Sequence, residues 1–427
     1  MKENWRKLDN SAKIFPMSTG EKYSTVFRLS VLLKENIKPE ILKEAVISAL
    51  EKYSVFKVKM KAGLFWYYLE ENIKEPIISK ERDYPCKYIN SKKNNDYLFK
   101  VTYFKNKINI DIFHALTDGN GGTVFFREIV YTYLEMRFSD ELNKNNRTLK
   151  KIEYDVEDSY IKNYNKKIKS SSFSERAYEL KGRKIKLGAI SVIHEIIDLE
   201  KLKIESKKYD ATITQYLTAV LIYAIYNENY RVGRKQKPIK ICIPVNLKKY
   251  FPSKTMSNFF SYIILAAKSK DVKLDDFDKI IELVKEEFNS KLTEEELLKT
   301  MSGNVKLGNH ILIKSIPLVL KNIIVRLSYL EIRKHSTITY SNIGRIGILG
   351  DYQKYIDYFL MLIAPDTVEK IKCSSCTFGN NIVFTFTSIL NDNKIEKAFY
   401  EFLRNKGIDV KVESNGVLDD ISSENNK

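Results

Sequence analysis

The sequence predicts two similar α/β units set against each other, and three observations carry that expectation. Strand-like alternation and helix-like apolar spacing recur in strand–helix–strand order in both halves of the chain. A polar stretch with little periodicity, from Ser139 to about Lys186, separates the halves. At 427 residues the chain is long enough for two domains, or three at most, each with its own core.

In the first half, Tyr23 to Leu33 reads as a strand. Pro39 opens a helix through Tyr53, with Ile41, Leu42, Ala45, Val46, Ala49 and Leu50 at helical spacing. Residues 55–60 and 64–70 form a hairpin around Ala62-Gly63, and Tyr97–Phe104 with Lys107–His114 form another. A helix follows from about Thr123 to Arg137. Asn163 to Ser174 reads as an exposed linker. The expected division is a first domain over 1–165, a linker over 166–186, a second domain over 187–415 and a disordered tail over 416–427.

In the second half, Ala189–Asp198 is a strand and Leu199–Tyr209 a helix. Thr212-Ile213-Thr214 caps an apolar helix from Gln215 to Tyr226. Ile239–Val245 and Phe259–Ala267 are strands, and Leu274–Leu292 is a helix. Ser336–Ser341 and Asn381–Ile389 are further strands, and Lys394–Lys406 is a helix closed by Gly407.

Composition narrows the function. The chain is 44% hydrophobic and 30% charged, as in a globular protein, with 27 tyrosines and 22 phenylalanines to build cores or line a tunnel. A net charge of +18 favours anionic partners, but the lysines are spread along the chain. No basic run is interleaved with aromatics, so no nucleic-acid partner is expected. Cys373-Ser374-Ser375-Cys376 is set in strand-like surroundings and reads as two reduced residues of a sheet, and no zinc spacing is visible. His194, His310 and His335 make no metal-ligand spacing. The N-terminus lacks a signal-peptide core, and a cytoplasmic, monomeric protein is expected. Ile311 to Leu330 is broken by Lys314, Pro317, Lys321 and Arg326. Its basic amphipathic character could suit a membrane surface, but the reading is a helix packed on a domain core.

The most informative segment is His114-Ala115-Leu116-Thr117-Asp118-Gly119, which follows the alternating run Ile108–Phe113 and leads into Gly121-Gly122. His114 shares its strand face with Ile108, Ile110 and Ile112, so the imidazole ends a buried row at the mouth of a cleft. A neutral imidazole there is a positioned general base. Asp118 can accept from backbone N–H groups or pair with an arginine, fixing the loop.

His114 and Asp118-Gly119 match an H-x-x-x-D-G signature. Pro244-Val245-Asn246-Leu247-Lys248 resembles a P-V-N-L-R segment, with lysine in the last place. Asn258-Phe259 and Ser341-Asn342-Ile343-Gly344 resemble second-domain segments that border a cleft. On these segments the chain, from about Tyr23 to Asn415, resembles the superfamily of chloramphenicol acetyltransferase. That superfamily also holds peptide-synthetase condensation domains, plant BAHD acyltransferases and mycobacterial polyketide-associated acyltransferases. The strongest likeness is to bacterial alcohol acetyltransferases. Phe113 stands where many members have a first histidine, and the D-F-G-W-G segment of plant members is absent.

The resemblance implies two α/β sandwich domains in a V with a tunnel between them. It implies transfer of an acyl group, acetyl in the first instance, from a coenzyme A or carrier-protein thioester to a small alcohol or amine. His114 is then the base, Asp118 the loop organiser, paired in the family with an arginine, and Gly119 allows the turn. Asn246, Asn258, Ser341 and Asn342 become substrate-binding candidates. Ser341 and Asn342 are candidate oxyanion donors and, equally, turn residues before Gly344. No tightly bound cofactor and no metal are implied. Two other readings stand beside this one: a condensation-type domain that meets a carrier protein, and a binding homologue without chemistry.

Overall fold

The computed structural model describes residues 5–21, 23–142, 157–166, 175–186, 188–230, 237–269, 273–309 and 311–418. The first half supplies β1 (Trp5–Lys7), β2 (Val26–Leu33), β3 (Val58–Ala62), β4 (Tyr67–Glu71), β5 (Ile78–Lys80), β6 (Phe99–Phe104) and β7 (Lys107–Phe113). The second supplies β8 (Ser191–Asp198), β9 (Ile239–Asn246), β10 (Phe260–Ala267), β11 (Ile338–Arg345), β12 (Ile356–Ile363), β13 (Ile371–Phe378), β14 (Asn381–Ser388) and β15 (Val410–Ser414). They form a sheet ordered β12-β2-β7-β6-β5, a seven-stranded sheet ordered β10-β9-β11-β13-β14-β8-β15 and a small β1-β4-β3 sheet. The expected α/β class and its strand–helix alternation are therefore observed.

Each large sheet anchors its own core. In the first lobe, Ile108, Ile110 and Ile112 of β7 are fully buried with Leu42, Ala45, Val46 and Ala49 of the helix Pro39–Lys52. In the second, the helix Ile213–Glu228 is buried on almost every side. It starts at a capping box: Thr212 accepts from the Gln215 amide while the Gln215 side chain accepts from Thr212 N–H. Both cores are what the apolar spacing predicts. Cys373 and Cys376 lie three apart on β13 and face opposite sides, one into each core, with free thiols. His194 is held in β8 with Nδ1 2.9 Å from Thr385 Oγ1; burial, then nearby Lys107, pushes its pKa down to about 4.

Four features differ from the expectations. First, β12 lies inside the span assigned to the second domain but pairs antiparallel with β2, from Ile356↔Leu33 to Ile363↔Phe27. The C-terminal half thus lends a strand to the first sheet and ties the lobes together. Second, residues 175–186 of the expected linker pack on the second lobe, with Ala177, Leu180 and Ile185 buried. Residues 167–174 of that linker, residues 419–427 of the expected tail, and His310 lie outside the described residues. Third, the motif helix runs over Gly119–Arg137 and so includes the glycines read as loop.

Fourth, the run Ile311–Leu330 is two helices, Ile311–Ser315 and Leu318–Arg333, broken at Pro317. In the longer one Leu318, Lys321 and Arg333 point inward, while Val319, Leu320, Ile323, Ile324 and Leu327 are 50–73% exposed. Apolar spacing gives the face but not what covers it, which is why a core-packed helix was expected. No helix among the described residues is long and apolar enough to cross a membrane.

Candidate active site at the lobe junction

β7 pairs with β2 from Leu32↔Lys107 to Val26↔Phe113, and His114 continues that edge with its N–H donating to Thr25 O at 3.0 Å. Sheet alternation therefore aims the ring from the end of a buried row, as read from the sequence. Three aromatic rings surround it: Phe15 stacked at 4.6 Å between centroids, Phe27 edge-on at 5.2 Å and Phe260 tilted at 5.3 Å. Phe27 belongs to the first lobe and Phe260 opens β10 of the second, so the ring sits between lobes. Phe15 comes from the short helix Ile14–Ser18.

Asn258 fixes the tautomer of His114. Its Nδ2 donates to His114 O at 3.0 Å and to Asp9 Oδ2 at 3.2 Å, so the amide nitrogen faces oxygens. Its Oδ1 therefore faces His114 Nδ1, 3.0 Å away, and must accept a proton from it. Nδ1 carries the hydrogen and Nε2 the lone pair. Nε2 makes no hydrogen bond among the described residues, and the His114 side chain is half-buried. Burial pushes the His114 pKa below the usual histidine range, against the opposing pull of the Asp118 carboxylate. A pKa below the usual value leaves the ring neutral at physiological pH.

Asp9 anchors this arrangement. Oδ1 accepts from Ala12 N at 2.8 Å and Ser11 Oγ at 3.0 Å, and Oδ2 accepts from both Asn258 N and Nδ2 at 3.2 Å. Burial pushes its pKa up to about 6 despite those bonds. Sequence reasoning missed Asp9, Phe15 and Phe260. The first two precede the first legible element, and only the adjacent Asn258-Phe259 segment pointed near the third.

Asp118 organises the loop through backbone amides. Oδ1 accepts from Gly121 N at 2.9 Å and caps the motif helix; Oδ2 accepts from Phe259 N, in the other lobe, at 3.0 Å. The arginine pairing implied by the resemblance is not made among the described residues. The buried Arg28 is held instead by Asp111 and Glu81. Thr117 ties the loop to the segment before Asn258, its Oγ1 donating to Met256 O at 2.6 Å.

The glycines serve close approach rather than a turn. Gly119 is the first residue of the motif helix, and a Cβ there would lie 3.2 Å from Ile343 Cγ2 of β11. At Gly121 a Cβ would lie 2.1 Å from Thr117 Oγ1 and 2.5 Å from Met256 O. Gly121→Ala gains about 1 kcal/mol of helix preference. The overlap with the Met256 backbone oxygen opposes that gain by about 1–3 kcal/mol or more. A net loss of stability is expected, read as a lower denaturant midpoint; a stabilised variant would show that this close approach is not made.

The remaining candidates are placed as follows. Both polar atoms of the Asn258 side chain are engaged by His114 and Asp9, so it orients the imidazole. Asn246, opposite Phe260 in the β9–β10 pairing, accepts from Lys248 N at 3.0 Å and caps the turn Leu247–Lys249. Asn342 donates to Thr214 Oγ1 at 3.0 Å and accepts from Gly344 N at 2.8 Å, with Gly344 at φ +78°. That is the turn role weighed for it in the sequence. Ser341 is half-buried on β11 opposite Ser374. No hydrogen bond links Asn246, Ser341 or Asn342 to His114 among the described residues.

Residues 162–355 match the family model of alcohol acetyltransferase; the His114–Gly119 motif lies before that stretch. No curated protein matches the sequence. The chain is similar in structure to polyketide synthase associated protein 5 from Mycobacterium tuberculosis, with TM-score 0.59 and 11% identity over 94% of this chain and 98% of that one. It is similar to F. graminearum TRI101 complexed with coenzyme A and deoxynivalenol, with TM-score 0.61 and 10% identity over 92% and 96%. It is also similar to the starter condensation domain of rhizomide synthetase RzmA in complex with C8-CoA, with TM-score 0.58 and 9% identity over 94% of each. The resemblance read from the sequence therefore holds in fold over nearly the whole chain.

Proposed function

The chain has the chloramphenicol acetyltransferase-like fold shared by acyltransferases and condensation domains, and from that premise we propose that it is an acyltransferase with His114 as general base. It moves an acyl group, acetyl in the first instance, from a coenzyme A thioester to a small alcohol or amine. The observation that carries the reading is the Nδ1–Asn258 Oδ1 bond, which leaves the His114 Nε2 lone pair without a hydrogen-bond partner among the described residues.

Nε2 takes the acceptor proton as the acceptor oxygen or nitrogen bonds to the thioester carbonyl carbon. The tetrahedral intermediate collapses by breaking the carbon–sulfur bond, and the proton on Nε2 passes to the departing thiolate. Asn258 Oδ1 holds the Nδ1 proton throughout, so the imidazolium formed midway keeps its orientation. The Phe15, Phe27 and Phe260 rings limit access of water, which favours transfer over thioester hydrolysis. No covalent acyl-enzyme is required, and the thioester is a co-substrate rather than a resident cofactor. Support for the donor comes from the similar structures with coenzyme A or C8-CoA bound. Nothing in the site favours a carrier-bound donor over a free one.

The test is thiol release and product formation across a small panel of acyl-CoA donors with alcohol and amine acceptors. Turnover with at least one pair supports the reading; absence of both thiol release and coenzyme A binding favours a binding protein. The acid limb of the rate is a second check. His114 works only when deprotonated, and its pKa lies below the usual value of about 6.5. Activity should therefore hold at neutral pH and fall as pH drops, with a midpoint below about 6.5. Protonation of Asp9 near pH 6 weakens the Asn258 anchor and acts in the same direction. A midpoint above 7 would contradict the assignment.

A further inference from the structure

We propose that the outward face of the helix Leu318–Arg333 docks on an anionic lipid bilayer surface. Val319, Leu320, Ile323, Ile324 and Leu327 fall on one side of this helix at spacings of one, three and four, and all are at least half exposed. Leu64, 73% exposed, extends the apolar surface, because Leu318 N donates to Leu64 O at 2.9 Å. An apolar face of this extent is unusual for a surface in contact with water alone.

The helix is firmly seated on its other side. Lys321 Nζ donates to Phe65 O at 2.9 Å and lies 3.6 Å from the Trp66 ring centroid. Asn322 Nδ2 donates to Tyr67 OH at 3.1 Å, and Arg333 is held by Asp366 and Glu369. The outward face is thus presented on a fixed scaffold, as an interfacial helix requires.

Charge selects the occupant. Lys314, on the preceding helix, and Arg326, 5.8 Å from the Tyr23 ring centroid, are exposed and have no carboxylate partner among the described ion pairs. Lys13, on the inner side, is within electrostatic reach of Lys7 and Lys314 as well as of Asp9 and Asp158. The helix's acid, Glu331, is already paired with Arg176 and Lys334. A second copy would set these cations against themselves in a chain of net charge +18, whereas anionic headgroups complement them. The short helix Ile14–Ser18 packs against this helix and carries both 42%-exposed Ile14 and Phe15, which stacks on His114. A bilayer-borne apolar alcohol would therefore arrive beside the candidate site; this last step alone rests on the acyltransferase reading.

Flotation of the full chain with phosphatidylcholine vesicles, with and without phosphatidylglycerol, tests the docking. The chain should float with the anionic vesicles and much less with neutral ones. Ile323→Glu with Leu327→Glu, and separately Lys314→Glu with Arg326→Glu, should each lower the bound fraction about tenfold or more, and the charge pair should also remove its salt dependence. His114→Ala protein should float like wild type, which separates docking from catalysis. Failure of the wild type to float would overturn the proposal. So would undiminished flotation of both double variants, or a solution dimer that Ile323→Glu with Leu327→Glu converts to monomer.

Discussion

His114→Ala is expected to lower acyl transfer by about 10²–10⁴-fold while leaving the thermal midpoint close to that of wild type, measured by thiol release beside a circular-dichroism melt. The reasoning separates binding from chemistry. His114 contributes one side-chain bond to the protein, Nδ1 to Asn258 Oδ1, and its half-buried ring lies among three phenylalanines. Truncation removes the base but leaves the strand, the Thr25 bond and the Asp118 cap in place. The loss should fall mainly on kcat, because proton removal occurs in the transition state and not in the bound ground state. Unreduced turnover would transfer the role to another group and end the proposed mechanism.

Asp118→Ala should act in the opposite way, chiefly on stability. The carboxylate is 2% exposed and accepts from two amides, Gly121 N in its own lobe and Phe259 N in the other. Alanine leaves both buried N–H groups without partners, at about 1–3 kcal/mol each, so a loss of roughly 2–6 kcal/mol is expected in denaturant unfolding. Asp118→Asn keeps one acceptor oxygen and should recover part of that loss. Activity should fall in both variants at temperatures where they remain folded, because Phe259 adjoins Asn258 and the base loses its inter-lobe register. A stability change below about 0.5 kcal/mol would show that the cross-lobe bond is not formed in solution.

The sequence carried the strand that delivers His114, because Ile108, Ile110 and Ile112 recur with the period of a strand, although the residues between them, Asn109 and Asp111, are buried as well. It also carried the Thr212 cap and the Asn342 turn, since caps and turns depend on neighbours close in the chain. It did not carry the start of the motif helix: Gly119, Gly121 and Gly122 weaken a helix locally, and close tertiary contacts, Gly121 with Thr117 and Met256 O and Gly122 with Ile112 and Phe27, explain their presence. Asp9 and Phe15 were silent for a related reason, since they reach Asn258 and His114 across more than 90 residues of chain and no periodicity marks them. The β12–β2 pairing was equally hidden, because an apolar run such as Tyr358–Ile363 states that it is buried but not in which sheet.

Nitrogen–proton correlation spectra of ¹⁵N-histidine-labelled protein, assigned by comparison with His114→Ala and followed over pH, test the central claim most directly. The geometry predicts a neutral His114 ring at pH 7, protonated at Nδ1 and unprotonated at Nε2, that gains its second proton only below about pH 6.5. A ring that is charged at pH 7, or one that carries its single proton on Nε2, would contradict the account, because no free lone pair would then meet an incoming acceptor.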